Sequence, residues 1–210
     1  MHRARQHAAS QTRERRHQLA HEAARLMAEG GIRDYQQAKL KAASRLGIHD
    51  DASLPRNVEI EDALREYQRL FAGPAHGDEV QRRREAALHA LEFLQPFSPR
   101  LVGPVLDGTA DGNSPVQLHL HEDDADAVQR FLDEHGIPAE SRSRRVRLDR
   151  ERTRDVPLWS FSAEELAFEL LVLPYDALRQ APLSQIDEKP TRRASLAQLK
   201  ELLARPVPAG

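Results

Sequence analysis

The chain has 210 residues, 40% hydrophobic and 30% charged, with no cysteine and a formal net charge of −2. This composition excludes a collagen, a mucin-like stalk, a fully disordered chain, a disulfide framework and any thiolate chemistry. The longest unbroken apolar run is the four residues Leu170–Leu173, far short of the roughly 20 that span a membrane or the seven or so of a signal-peptide core. The expectation is a cytoplasmic protein with no membrane partner, folded as one large or two small domains.

Charge is unevenly spread. Residues 1–50 carry ten Lys/Arg against five Asp/Glu, and the other 160 carry 21 against 28. A basic leader of this kind suits contact with nucleic acid through its helices. The lack of the interleaved aromatics of single-strand binders favours the plainer reading, a solvated helix face.

In chain order, Leu19, Ala23, Leu26 and Met27 mark one helical face, which Gly30-Gly31 ends. A second helix is predicted from Asp34 to Leu46, with Gly47 as its cap. Its ending resembles the first half of a helix-turn-helix, but His49 to Asn57 is too long for that motif's turn. A third helix is expected over 58–71, on Ile60, Leu64, Tyr67 and Leu70. A fourth is expected over 79–94, on Ala86, Leu88, Leu91 and Leu94. Near Pro96 the pattern changes. Leu101–Leu106 reads as a short strand, with Pro104 marking an edge or a bend. Val116, Leu118 and Leu120 alternate with Gln117, His119 and His121, as in a half-buried strand. An amphipathic helix follows over 123–135. Strands are expected around Val146–Leu148, at Leu158–Phe161 and at Leu166–Leu173, where only Glu169 interrupts the apolar run. A capping box from Ser195 to Gln198 opens a last helix. These elements divide the chain into a helical region, 1–95, and an α+β region, 96–210.

Several familiar sites are absent. His17 and His21 lie one helical turn apart, but Arg25 stands where His-Glu-x-x-His needs its second histidine. His119-Leu120-His121-Glu122-Asp123-Asp124 resembles the metal signature of metallo-β-lactamase-type hydrolases. It ends in Asp124 instead of His, and only His135 follows. No nucleophile elbow, Walker A loop or Gly-x-Gly-x-x-Gly is present.

One constellation remains: a strand leading to Gly108-Thr109, then Ser114, the alternating strand Val116–Leu120, a helix, and Glu169 on a later strand. It resembles the nucleotidyltransferase fold of the DNA polymerase beta superfamily. That pattern is a strand, a Gly-Ser, a second strand reading Ser-Asp-x-Asp, and a third acid. Gly108-Thr109 stands for Gly-Ser, Ser114 for the serine, and Glu169 for the third acid. The whole chain is similar to a little-characterised group of bacterial nucleotidyltransferase-like proteins. The shared features are a helical leader, a Gly108-Thr109-Ala110 turn and a tail carrying Gln180–Ser184 and Arg192–Leu196.

The resemblance implies two Mg²⁺ ions held by the acid pair and the third acid, aligning a nucleotide's phosphates. Here the acid pair maps to Pro115 and Gln117, and one carboxylate does not hold two hard cations. The turn before Pro115 is also short. The expected protein is therefore a degenerate nucleotidyltransferase-like pseudoenzyme that binds a nucleotide, another phosphorylated ligand or nucleic acid. Gly108, Thr109 and Ser114 would meet the phosphate, with Arg145 or Arg147 supplying charge. Two other readings stay open. In one, the protein is an active nucleotidyltransferase with Glu169 as catalytic acid. An altered divalent-metal site of His119, His121 and Glu169 would then bind Zn²⁺ or Mn²⁺, because side chains two apart share a strand face. In the other, the helices form an interaction module and the sheet is scaffold.

Overall fold

The structure is a computed structural model that describes residues 2–71 and 73–204. It is α+β, and it divides into two compact units. The first holds residues up to Gly73 together with Gln185–Asp187; the second holds Pro74–Ser184 and the chain from Glu188 on.

The first unit is helical. α1 (His2–Gly30), α2 (Tyr35–Leu46) and α3 (Asn57–Phe71) follow the predicted elements closely. Asp34 caps α2 by accepting from the Gln37 amide, and Gly47 closes it. A short 3₁₀ turn, Asp51–Ser53, lies in the linker that was too long for a helix-turn-helix. The core sits where the 3.6-residue spacing places it. Leu19, Ala23, Leu26 and Met27 of α1 pack with Ala38 and Ala42 of α2 and with Ile60 and Leu64 of α3. The far ends of two stripes do not join it, and Leu46 and Leu70 stay exposed.

The second unit is built on a five-stranded mixed sheet: β1 (Arg100–Val102), β2 (Val116–His121), β3 (Glu140–Arg147), β4 (Thr153–Ala163) and β5 (Leu166–Leu173). The spatial order is β1-β2-β5-β4-β3. β2 and β5 run parallel, and every other pair is antiparallel. β5 is central and carries the longest apolar run because both of its faces are covered. Leu101–Leu106 does not continue as a strand. After three residues the chain bends at Gly103 into α5 (Gly103–Asp107), with Pro104 in its first turn, where a missing N–H costs nothing.

The two sheet faces differ. Val116, Leu118 and Leu120 of β2, Phe168, Leu170 and Val172 of β5, and Trp159 of β4 share one face. They pack with Val80, Ala87, Leu91 and Leu94 of α4 (Gly73–Phe93), Val128 and Leu132 of α6 (Ala125–Glu134), and Leu199 of α7 (Leu196–Ala204). The division between units therefore falls before α4, not near residue 95: the apolar stripe of α4 is buried in the sheet's core. The capping box opens α7 as read, with the Ser195 amide on the Gln198 side chain and the Gln198 amide on Ser195 Oγ. The opposite face carries a smaller apolar cluster of Leu148, Val156, Leu171, Leu173 and Ala177. Gln117, His119, His121 and Glu169 lie there.

Candidate functional site

Strand register decides which candidates meet. β2 and β5 pair Gln117 with Glu169, His119 with Leu171 and His121 with Leu173. Residues directly paired across a ladder project to the same face. The Gln117 amide accordingly donates from Nε2 to the Glu169 carboxylate at 2.9 Å. Gln117 and Glu169, two of the positions that the resemblance singled out, are thus neighbours. Pro115 precedes the strand and offers no side-chain donor or charge.

Gly103 completes this corner. Its φ is +71°, and a Cβ there would run into Gln117 Oε1. The bend from β1 into α5 therefore brings bare backbone against the end of the Gln117 side chain, and the left-handed conformation is what favours glycine here, since a Cβ would push aside only that flexible end.

The predicted phosphate cradle is committed internally. Gly108 is the left-handed cap of α5, and its N–H bonds to the Pro104 carbonyl. The Thr109 N–H reaches the same carbonyl at 2.9 Å. Ser114 closes a turn on Asp111: its Oγ donates to Oδ1 at 2.7 Å and accepts from the Asp111 amide. Two arginines of α4 hold this segment from behind. Arg83, buried and paired with Glu79, donates to the carbonyls of Gly112 and Ser114, each at 2.8 Å. Arg84 donates to the carbonyls of Val105 and Leu106. His76 contacts the Gly108 carbonyl through Nε2 at 3.1 Å. The expectation that Gly108 and Thr109 present free N–H groups to a phosphate is corrected: those donors are spent on the helix end.

Arg145 and Arg147 are also placed away from this corner. They lie on β3, at the opposite edge of the sheet from β1. Three strand spacings separate β3 from β2, roughly 14 Å. Arg145 is bidentate to Asp155 at 3.1 Å, and Arg147 pairs with Glu188 at 2.9 Å.

The histidines share a face with Gln117, as alternation predicts, but that stretch of the face is not solvated. His119 is 7% exposed and His121 1%. A 3₁₀ turn, Tyr175–Leu178, and the chain around Arg193 lie against this end of the sheet. His121 donates from Nδ1 to the Ser98 carbonyl at 2.8 Å, which leaves Nε2 as the lone-pair nitrogen, 3.5 Å from Arg193 Nη1. Burial, then the Arg193 and Arg100 charges, push His121 down to about 4 against the opposing pull of the Ser98 bond. Burial, then His121, Arg144 and Arg193, push His119 down to about 3. His119 Nδ1 has no hydrogen-bond partner.

These positions do not make the altered metal site. Glu169 is one ladder step of two residues from His119 and two such steps from His121, roughly 7 and 14 Å along the strands. Among the described residues no group of three or more His, Asp or Glu side chains could hold a metal ion. The residues present do not fit a two-Mg²⁺ centre either, because Glu169 is the lone carboxylate at this corner, beside Pro115 and the uncharged Gln117 amide. His17 and His21 face each other on α1 with Nε2 atoms 3.1 Å apart. Part of the basic charge of the first unit is internally neutralised, with Arg25 and Arg45 both on Glu22. Among the described residues no helix is long and apolar enough to cross a membrane.

Reading the chain alone missed Gly103, Arg83 and Arg84. Gly103 sat inside an apolar run, and Arg83 and Arg84 fall within the expected fourth helix, outside its apolar positions. Only the bend at Pro104 hinted at the first. Against known proteins, the chain matches no protein-family model, no curated protein and no solved structure.

Proposed function

We propose that this protein is a degenerate nucleotidyltransferase-like module that binds a nucleotide or another phosphorylated ligand without metal-dependent transfer. The observation that carries the reading is the cross-strand bond from Gln117 to Glu169, which sets an amide where the family resemblance wants a carboxylate. An amide donates to the neighbouring acid and neutralises none of a cation's charge, so the corner keeps its polar shape and lacks its ion-holding power. The edge of the pair is partly exposed, so a ligand can reach Glu169.

The test is equilibrium binding of the four labelled ribonucleoside triphosphates to the full chain, with Mg²⁺ and with EDTA. RNA and protein acceptors are included to detect transfer. Saturable binding that survives EDTA, with no labelled acceptor, is the expected result. Absence of binding by all four nucleotides, together with other phosphorylated metabolites, overturns the reading. So does label transfer that Glu169→Ala abolishes, which would establish an active enzyme instead.

A further inference from the structure

Beyond Gln117 and Glu169 the same sheet face becomes strongly basic. Register sets Arg100, His119, Leu171, Leu158 and Arg142 in one row across the strands. The next row holds His121 and Leu173, with Arg144 on β3 opposite Val156 of β4. Arg100 Nη1 and His121 Nδ1 both bond the Ser98 carbonyl, at 3.4 and 2.8 Å. Arg193 lies on the other nitrogen of the same ring. Two half-exposed guanidiniums thus flank one buried imidazole.

What holds these arginines orients them without neutralising them. Arg193 donates to the carbonyls of Ala177 and Leu178, at 2.7 and 2.5 Å. Arg100 donates to those of Ser98 and Pro99. A carbonyl accepts a hydrogen bond but carries no net charge, and each guanidinium has five N–H donors in a fixed fork. Among the described residues Arg100, Arg144 and Arg193 make no ion pair, whereas on β3 Arg142, Arg145 and Arg147 all have acids. Burial and the Arg100 charge hold Arg193 below the ordinary arginine value, which marks the two as mutually repelling. The nearest acid in the adjoining row, Glu169, is engaged by Gln117. Arg100 and Arg193, both held in place and both without a counter-charge, form a preorganised receptor for a multiply charged anion, whereas Arg144 lies on the far edge strand, four strand spacings or roughly 19 Å from β1.

We infer that Arg100 and Arg193 form an anion site that receives a phosphate dianion or pyrophosphate group, beside His121 at the β1–β2 edge of the sheet face. The inference rests on the phosphorylated-ligand reading for the class of anion, and it adds where the phosphate sits: on the histidine rows, not at Gly108-Thr109. Guanidinium forks match phosphate oxygens in pairs, which favours this class over a lone carboxylate.

The test titrates the full chain with inorganic phosphate, with pyrophosphate and with ATP at constant ionic strength, by calorimetry. It compares wild type with Arg100→Gln, Arg193→Gln and Arg144→Gln. Arg144 is exposed, makes no side-chain hydrogen bond and lies on the far edge strand, so Arg144→Gln removes the same charge elsewhere; circular dichroism checks each protein. Pyrophosphate is expected to bind saturably, at least fivefold more weakly to Arg100→Gln and Arg193→Gln and unchanged to Arg144→Gln. Equal weakening in all three variants means net charge alone, and overturns the site. So does wild-type affinity in Arg100→Gln, or no binding of any of the three anions. If ATP binds and Arg100→Gln leaves it unchanged, the site falls while the nucleotide reading stands. If pyrophosphate binds at this site and no nucleotide does, the site stands and the nucleotide reading falls.

Discussion

Gln117 Nε2 and the Glu169 carboxylate meet at 2.9 Å across the parallel β2–β5 pair. The bond joins residues 52 positions apart and links the edge half of the sheet to its central strand. Replacing the amide by a carboxylate tests what the corner lacks. Gln117→Glu sets two like charges on facing positions, which lowers stability at pH 7 by about 1 kcal/mol. Millimolar Mn²⁺ is expected to restore the loss in Gln117→Glu and to leave wild type unchanged. Thermal denaturation with and without Mn²⁺ reads both, and an equal Mn²⁺ effect on the two proteins refutes the account.

Gly103→Ala combines left-handed strain with a collision against the Gln117 side chain. The expected loss is about 2 kcal/mol, of which roughly 1 is the backbone conformation. In a Gln117→Ala background only the backbone part should remain. Urea midpoints of the four proteins in this cycle measure the coupling, and strict additivity would show that the two residues do not touch.

The buried histidines make folding sensitive to acid. In the unfolded chain each titrates near 6.5, whereas in the fold His119 is held at about 3 and His121 at about 4. The unfolded state therefore binds more protons between these values. Stability is fully present above about pH 6.5 and falls as pH drops toward 4, by at most about 1.4 kcal/mol per pH unit for each histidine. Urea unfolding at pH 7.5, 6 and 5 checks the slope, and His119→Gln should reduce it. A flat profile would mean that the rings are not buried in solution.

Arg83 is a buried guanidinium that satisfies Glu79 and the carbonyls of Gly112 and Ser114. Arg83→Met keeps most of the volume and strands all three partners. The expected cost is about 3 kcal/mol, because a carboxylate is left without its cation. The double variant Arg83→Met/Glu79→Gln should recover part of it in chemical denaturation.

The β4–β5 hairpin turns on Glu164 and Glu165, with φ of 50° and 65°. Two left-handed residues between the Ala163–Leu166 pair are the arrangement of a tight hairpin turn that favours Asn-Gly. Glu165→Gly is expected to stabilise by about 1 kcal/mol. Its ion pair with Arg82, 3.7 Å long and with Glu165 91% exposed, subtracts little. A lower midpoint for this variant would contradict the turn geometry.

How much was legible follows from the range of the interactions involved. Helix periodicity, the Asp34 and Ser195 caps and the apolar β5 are set by residues within a few positions of one another. They were readable in the chain and appear in the structure at nearly the predicted bounds. The shared strand face of Gln117, His119 and His121 was readable for the same reason. Its exposure was not, because alternation says which side chains share a face and not what is packed on it. The roles of Gly108, Thr109, Arg145 and Arg147 were misread on similar grounds. A turn sequence does not reveal that the Pro104 carbonyl takes its N–H groups, and an arginine on a strand does not announce that Asp155 or Glu188 faces it.

The amino-acid sequence by itself determined an α+β chain without thiol chemistry, with Pro115 and Gln117, neither of them a carboxylate, at the start of β2. Those are matters of residue identity and local spacing, and no packing can supply a missing carboxylate. The tertiary structure alone decided that α4 joins the sheet, that Glu169 meets Gln117 and not the histidines, and that Arg100 and Arg193 close on His121. Register, burial and charge pairing are long-range properties. They depend on which distant segment reaches a surface first and what charge it brings.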